Sequence, residues 1–351
     1  MVKSKVLGIG SYVPDRIVKN EEIAFLNERH ERQPTQQLDT SDDWIQQRTG
    51  IRERRYVPAD GSVSCSDLGL RAAIAALEDA QVAKEDIDCI IFATLSPDIH
   101  FPGSGVFLQA KLGISGKACA CYDVRQQCSG FLYGMQMADA FIKTGLYKRI
   151  LLVGAELHSH SLDYSTRGRD VAVLFGDGAG AFVIGPAPES AVKTGILYTD
   201  VHADGTGAND LYLKIFEIAH APYVWYDARD YEQNIVKYPQ MDGKKVYVNA
   251  VRHMVESTVR ALTVTKLDWN QVDWFVPHQA NLRINQKVAE VGHIPAEKVL
   301  NTIELYGNTT AASVPLTIDH WRKAGKVKRG DLIVSSVFGS GYTWGAAAFY
   351  V

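Results

Sequence analysis

"SDLGLRAAIAALEDAQVAKEDIDCIIFATLSP" (residues 66–97) joins a helix to a buried strand. Leu70, Ala73, Ile74 and Leu77 recur at helical spacing, with Ser66 placed to cap the first turn. The run at 87–96 is β-branched, almost continuously apolar and stopped by Pro97, which predicts a strand covered on both faces. The same order returns later in the chain. "VNAVRHMVESTVRALTV" (248–264) puts Val251, Met254, Val255, Val259 and Leu262 on one face, and "VDWFVPHQAN" (272–281) follows as strand and turn. "RILLVGAEL" (149–157) is matched by "DLIVSSVFGSG" (331–341), and "GAGAFVIG" (178–185) by "WGAAAFYV" (344–351). A duplicated α/β unit accounts for all of these pairs. The division is expected near Gly185 and Pro186, in "GPAPES", giving halves 1–185 and 186–351.

With 351 residues, 46% of them apolar, the chain can bury a core in each half. The net charge of −3, with lysine and arginine scattered, offers no cationic surface for nucleic acid. The opening "MVKSKVLGIGSYVPDR" has an apolar stretch too short for a signal sequence or a membrane span, so a cytoplasmic chain with no membrane part is expected. Five cysteines without a C-x-x-C pair or Cys/His zinc spacing indicate reduced thiols, with neither a disulfide framework nor a metal site. Segment 208–243, carrying Tyr212, Phe216, Tyr223, Trp225, Tyr226, Tyr231 and Tyr238, shows little period. It reads as a lid, a subunit contact or a surface loop packed on its own aromatics.

Chemistry concentrates at strand ends. "ACACYDV" (118–124) reads as a strand and "SGFLYGMQMADAFIKTG" (129–145) as a buried helix, so Cys128 falls at the turn between them. Unpaired N–H groups and the helix dipole at such a turn favour thiolate and predict a lowered thiol pKa. A buried cysteine is also a common apolar filler, and Cys65, Cys89, Cys119 and Cys121 read that way. His278 follows directly on an apolar strand, where a catalytic group of an open α/β sheet belongs. Asn308, in "YGNTTAAS" (306–313), is either a turn former or a functional amide. The glycine-rich "FGSGYTWG" (338–345) lets backbone approach a substrate closely. A thiolate, an imidazole and an amide suit acyl-thioester chemistry: the thiol accepts an acyl group, backbone N–H groups hold the oxyanion, and imidazole and amide hold an enolate.

Six stretches together resemble the β-ketoacyl-acyl-carrier-protein synthase III family of the thiolase superfamily. They are "DTSDDWIQQRTGIRERR" (39–55), "QQCSGF" (126–131), "FGDGAGAFV" (175–183), "HQANLRI" (278–284), "YGNTTAAS" (306–313) and "FGSGYTWG" (338–345), in family order over nearly the whole chain. The resemblance implies a thiolase-like five-layered αβαβα fold of two pseudo-equivalent halves and a homodimer. It implies decarboxylating Claisen condensation of an acyl-CoA primer with a malonyl thioester, on acyl carrier protein or CoA, in fatty acid or related biosynthesis. Coenzyme A thioester is then a substrate, with no permanently bound cofactor.

By the same resemblance Cys128 is the acylated nucleophile, His278 and Asn308 promote decarboxylation, and the N–H groups of Cys128 and Ser340 form the oxyanion hole. Trp44 and Arg167 would sandwich adenine, with Thr40, Arg48 and Arg283 nearby; Phe101 and Phe338 would bound the acyl pocket, Phe101 from across the dimer. This chain departs from the family pattern at Ser340, where glycine is commoner, and in "NQKVAEVGH" (285–293), where Lys287 is accompanied by Glu290 on a helix that is often basic. It also has inserts at 208–243 and 27–37, the former expected to reshape the acyl pocket or its mouth.

Three other readings compete. An acyltransferase or specialised-metabolite synthase would use the same acyl-Cys128 with another acceptor. A cysteine hydrolase shares the chain order Cys, His, Asn but lacks the local context of papain-like enzymes. A non-catalytic scaffold gives no reason for Cys128, His278 and Asn308 to occur together.

Overall fold

The computed structural model describes residues 2–213 and 238–351. Of the aromatic segment at 208–243, residues 214–237 lie outside the described residues, and with them any test of a role for that insert.

The described strands, in chain order, are β1 (Lys3–Tyr12), β2 (Arg16–Lys19), β3 (Glu53–Tyr56), β4 (Cys89–Ala93), β5 (Ala120–Val124), β6 (Ile150–Glu156) and β7 (Gly178–Ala187). After these come β8 (Ile196–Ala203), the short pair β9 (Leu211–Tyr212) and β10 (Gln240–Met241), then β11 (Trp274–Pro277), β12 (Leu332–Gly339) and β13 (Thr343–Tyr350). One sheet runs β1-β7-β6-β4-β5 and the other β8-β13-β12-β11. In both, the first two neighbouring pairs are antiparallel and the third is parallel. The internal sequence match is therefore a match of topology, with β5 an additional edge strand of the first sheet. β7 continues through Gly185 and Pro186, and Pro186 pairs with Ser4 on β1, so the break between the sheets falls in 188–195.

Helices make the remaining three layers. Helix Gly130–Lys143 and helix Ser313–Lys323 lie between the sheets and share one core, in which Phe131, Leu132 and Met135 meet Phe182, Val314, Ile318 and Phe349. Each of these side chains is at most 1% exposed, and fully burying one contributes about 1.5–3 kcal/mol. Helices Cys65–Ala80 and Ser104–Lys111 cover the outer face of the first sheet, and helices Gly243–Thr265 and Leu282–Val291 that of the second.

Helix Cys65–Ala80 differs from its sequence reading in two details. Ser64, not Ser66, closes it, in a reciprocal cap with Asp67. Its buried stripe is Leu68, Ala72, Ala73, Ala76 and Leu77, leaving Ile74 43% exposed. Small residues choose the face: a Cβ on Gly8 or Gly10 of β1 would lie 2.4 or 2.5 Å from the carbonyl oxygens of Ala76 and Ala72. Helix and strand touch backbone to backbone, which the bulkier Ile74 would prevent.

Among the described residues no helix is long and apolar enough to cross a membrane, and no group of three or more His, Cys, Asp or Glu side chains could hold a metal ion.

Candidate active site

Cys128 sits in a tight turn, Gln127–Ser129, that opens helix Gly130–Lys143. The turn is strained at Gln127, which has φ +44°, a conformation costing on the order of 1–3 kcal/mol for a residue with a side chain. Gly339, the last residue of β12, packs against it so closely that a Cβ there would stand 3.1 Å from Cys128 N. Thr343 ties the same elements together: its hydroxyl donates to Ser129 Oγ and lies 3.1 Å from the Ser340 carbonyl, while its own carbonyl accepts from Ser129 Oγ at 2.9 Å. The backbone of Ser340 is thereby held beside that of Cys128. Ser340 avoids the left-handed region, which Gly341 takes instead at φ +127°, so serine in place of glycine adds no strain there.

The expected lowering of the thiol pKa is reversed. Cys128 is 7% exposed, and burial, followed by the nearby Glu156 carboxylate, pushes the thiol up to about 12. Desolvation penalises a thiolate more than one short turn of N–H groups stabilises it. The resting group is a thiol.

His278 follows β11, its N–H bonded to Ser336 O on β12 at 2.9 Å. The ring is 1% exposed, and burial holds its pKa down at about 3, so it is neutral imidazole. Nδ1 lies 2.7 Å from Ser313 Oγ, which also receives the Gln279 N–H at 3.4 Å. Nε2 is buried and has no hydrogen-bond partner among the described residues. A buried orphan of this kind calls for an explanation, and a catalytic role is one.

Asn308 is 5% exposed, and its main chain is fixed between Leu174 O (2.8 Å) and Gly176 N (3.1 Å). Its Oδ1 accepts from Thr310 N at 2.8 Å, and Nδ2 has no partner among the described residues. The segment from Asn308 to Ser313 meets both other groups: Ser313 touches His278, and Ala311 stands against Gly130, where a Cβ would lie 3.7 Å from it. One turn thus carries the amide and joins imidazole to nucleophile helix.

Around the rim, Trp44 lies on helix Asp42–Thr49, with the Arg48 guanidinium 4.3 Å and that of Arg169 4.7 Å from its ring. Arg167 Nε is ion-paired with Asp163, four residues back, at 2.6 Å, and its guanidinium lies 5.7 Å from the Tyr238 ring. Arg169, over the Trp44 ring, is also ion-paired with Asp39 at 3.5 Å and Asp170 at 3.6 Å. Asn281 Nδ2 donates to Arg48 O at 2.9 Å, and Leu282 packs into the space left by Gly50, which brings exposed Arg283 to the same rim. Thr40 Oγ1 is buried there with no hydrogen-bond partner among the described residues. Phe338 is 4% exposed, packed on Tyr342 at 4.9 Å between ring centroids. Phe101 stands apart from the others, 79% exposed on a loop pinned to β5 by Ser104 N donating to Asp123 at 2.6 Å. Lys287 is ion-paired with Glu290 at 2.7 Å.

The sequence reading missed Ser313, Thr310, Glu156 and Arg169. Ser313 and Thr310 stand within the quoted "YGNTTAAS", and Glu156 was visible as the one charged residue of a strand otherwise apolar from Ile150.

A family model described as 3-oxoacyl-[acyl-carrier-protein (ACP)] synthase III C terminal matches residues 262–351, and one described as 3-oxoacyl-[acyl-carrier-protein (ACP)] synthase III matches residues 122–205. The β-ketoacyl-[acyl-carrier-protein] synthase III of Bradyrhizobium diazoefficiens is 40% identical over 349 residues, covering 99% of this chain and 98% of that one. The chain belongs to the β-ketoacyl-[acyl-carrier-protein] synthase III family. Solved members of the synthase III family superpose on it: the 3-oxoacyl-[acyl-carrier-protein] synthase III of Aquifex aeolicus has a TM-score of 0.85 and 36% identity over 99% of this chain and 100% of that one. The priming β-ketosynthase of the R1128 polyketide biosynthetic pathway has a TM-score of 0.84 and 31% identity over 99% and 96%. As a synthase III the chain is an acyltransferase, and its layered fold is thiolase-like.

Proposed function

We propose that the chain condenses an acyl-CoA primer with a malonyl thioester, on acyl carrier protein or CoA, through an acyl-Cys128 intermediate, in fatty acid biosynthesis. The observation that carries this reading is the neutral, buried imidazole of His278, whose Nε2 has no partner among the described residues, joined through Ser313 to the segment in which Asn308 holds its Oδ1 on Thr310 N and keeps Nδ2 available. Such a pair donates two hydrogen bonds to a thioester oxygen and supplies no strong base, which is what decarboxylation needs.

In the first half-reaction Cys128 Sγ attacks the primer carbonyl, and the C–S bond to coenzyme A breaks. The thiol proton leaves on the coenzyme A sulfur. The N–H groups of Cys128 and Ser340 face the oxyanion. In the second, the malonyl thioester loses carbon dioxide, and the electron pair passes to an enolate held by His278 Nε2–H and Asn308 Nδ2–H. The enolate carbon attacks the acyl-Cys128 carbonyl, the new C–C bond replaces the C–Sγ bond, and the thiolate takes a proton from solvent. With the thiol held up at about 12, the released thiolate returns to the resting thiol once that proton arrives.

Trp44, with Arg169 and Arg48 over its ring, supplies a stacking site for adenine; Thr40 and Arg283 extend it along the nucleotide and pantetheine arm. Phe338 bounds the acyl chamber. Phe101 and the open edge of β5 serve a homodimer, in which the exposed ring enters the partner's acyl pocket. The Lys287–Glu290 pair leaves little free positive charge on that helix for an acidic carrier, so a CoA-borne acceptor is accommodated as well. Five free thiols suit a reducing compartment, and we place the enzyme in the cytoplasm.

Intact-mass analysis tests the reading. A panel of acyl-CoAs should add one acyl mass to the parent and none to Cys128→Ala. Malonyl thioester should then discharge it as a β-ketoacyl product. His278→Ala and Asn308→Ala should still acylate while releasing carbon dioxide about 100-fold more slowly. Discharge of the acyl group as free acid, or equal loss of both steps, overturns it. Sedimentation at twice the chain mass supports the dimer, and a parental monomer refutes it.

A further inference from the structure

The direction of the Asn308 amide depends on a single side-chain hydrogen bond, from Thr310 N to Oδ1 at 2.8 Å. Thr310 is itself unusual, a β-branched residue in the left-handed region at φ +42°. Such a conformation persists only where the surroundings over-determine it. Here the surroundings are polar and buried. Thr310 Oγ1 lies 3.1 Å from His158 Nε2 and faces the Glu156 carboxylate, and His158 Nε2 is 4.0 Å from Glu156 Oε2.

Neither partner is free to move. Glu156, at the end of β6 and 0% exposed, accepts from Thr94 Oγ1 (3.1 Å), Leu95 N (3.2 Å), Ser96 N (3.3 Å) and Ser96 Oγ (2.8 Å). His158, 4% exposed, is fixed by its N–H to Asp177 Oδ1 at 2.7 Å and by its ring against Phe175, with centroids 4.7 Å apart. The turn ahead of helix Ser313–Lys323 and the first sheet are therefore joined by a rigid polar bracket immediately behind the amide.

We propose that Glu156 and His158, acting through the Thr310 hydroxyl, are positioning residues that hold the Asn308 amide with Nδ2 directed at the malonyl thioester. Neutral His158 donates from Nε2 to Thr310 Oγ1, and the Thr310 O–H donates to Glu156. The hydroxyl is pinned from two sides, the left-handed turn is maintained, and its N–H stays on Asn308 Oδ1. The inference rests on the enolate-holding role given to Asn308 above.

Thr310→Val keeps the shape of the side chain and removes the hydroxyl. Carbon dioxide release from malonyl-CoA by pre-acylated enzyme should fall about 10–100-fold at nearly unchanged KM, because a misplacement near 1 Å has that cost. Acylation of Cys128 by acetyl-CoA should stay within about twofold, Thr310→Ser should restore most of the loss, and Thr310→Val on an Asn308→Ala background should add less than about twofold. His158→Phe, which keeps the ring on Phe175, should show the same split and serves if Thr310→Val does not fold. Parental decarboxylation in Thr310→Val or His158→Phe, or parallel loss of acylation, overturns the proposal. If Asn308→Ala itself decarboxylates at the parental rate, the reading of Asn308 fails and takes this one with it. If Asn308→Ala is slow while Thr310→Val is not, only the positioning role fails.

Discussion

Ser313 Oγ lies 2.7 Å from His278 Nδ1, and the Gln279 N–H points at the same oxygen from 3.4 Å. An oxygen already receiving that N–H is best placed to donate its own proton to Nδ1, which puts the imidazole proton on Nε2. Ser313 thereby selects the tautomer that donates to an enolate. Ser313→Ala should lower the decarboxylation rate about 10-fold or more while leaving acylation of Cys128 nearly unchanged. Because burial keeps His278 neutral, with a pKa of about 3, neither enzyme should show an inflection from this ring between pH 5 and 8. Stopped-flow decarboxylation across that range checks both statements.

The Glu156 carboxylate opposes ionisation of Cys128. The thiol stands at about 12, from burial first and Glu156 second, and the carboxyl is raised by burial to about 7. Glu156→Gln removes the nearby charge, so the thiol pKa should fall, and iodoacetamide should alkylate Cys128 several-fold faster at pH 8. The same substitution alters the pH dependence of folding. A carboxyl whose folded pKa lies above its ordinary value binds a proton more readily in the native state. Its contribution is therefore present at low pH and lost as pH rises through 7. Between about pH 4.5 and 7 the parent should lose on the order of 3 kcal/mol relative to Glu156→Gln, measured by urea unfolding at each pH.

Local turn chemistry made much of the site readable in the sequence. Cys128 before an apolar helix, His278 after a strand and Asn308 after Gly307 are positions set by a few neighbouring residues. The duplicated fold was readable because strand and helix periods repeat in the same order. Properties set by distant parts of the chain were not. The raised thiol pKa depends on burial by β12 and on a carboxylate from β6, and the stripe of helix Cys65–Ala80 is chosen by Gly8 and Gly10 on β1. Arg167 and Arg169 are two residues apart, and what orients each lies outside that motif: Arg169 meets Asp39, Asp170 and Trp44, whereas Arg167 is ion-paired with Asp163.

That ion pair gives a direct comparison. Arg169→Ala removes a guanidinium 4.7 Å from the Trp44 ring, an interaction of roughly 1 kcal/mol, so KM for the acyl-CoA should rise about fivefold with the rate of bound substrate unchanged. Arg167→Ala removes a charge already engaged by Asp163 and should change KM by less than about twofold. Steady-state kinetics with acetyl-CoA decide between them, and a larger effect from Arg167 would favour the assignment made from sequence over Arg169.

Two glycines separate crowding from backbone strain. Gly154 in β6 faces the turn that carries Asn308: a Cβ there would stand 2.7 Å from Ala311 O, a contact that only movement of the turn can relieve. Gly145, just past helix Gly130–Lys143, has φ +76° and nothing within 4 Å of a would-be Cβ. Gly154→Ala should cost about 1–3 kcal/mol by overpacking and should slow decarboxylation as well, since Asn308 and, through Ser313, His278 move with Ala311. Gly145→Ala should cost about 1 kcal/mol through left-handed strain alone, and its condensation rate should match the parent. Melting temperatures paired with single-turnover rates distinguish the two. Parental activity in Gly154→Ala would mean that the 308–313 turn yields without disturbing the amide or the imidazole.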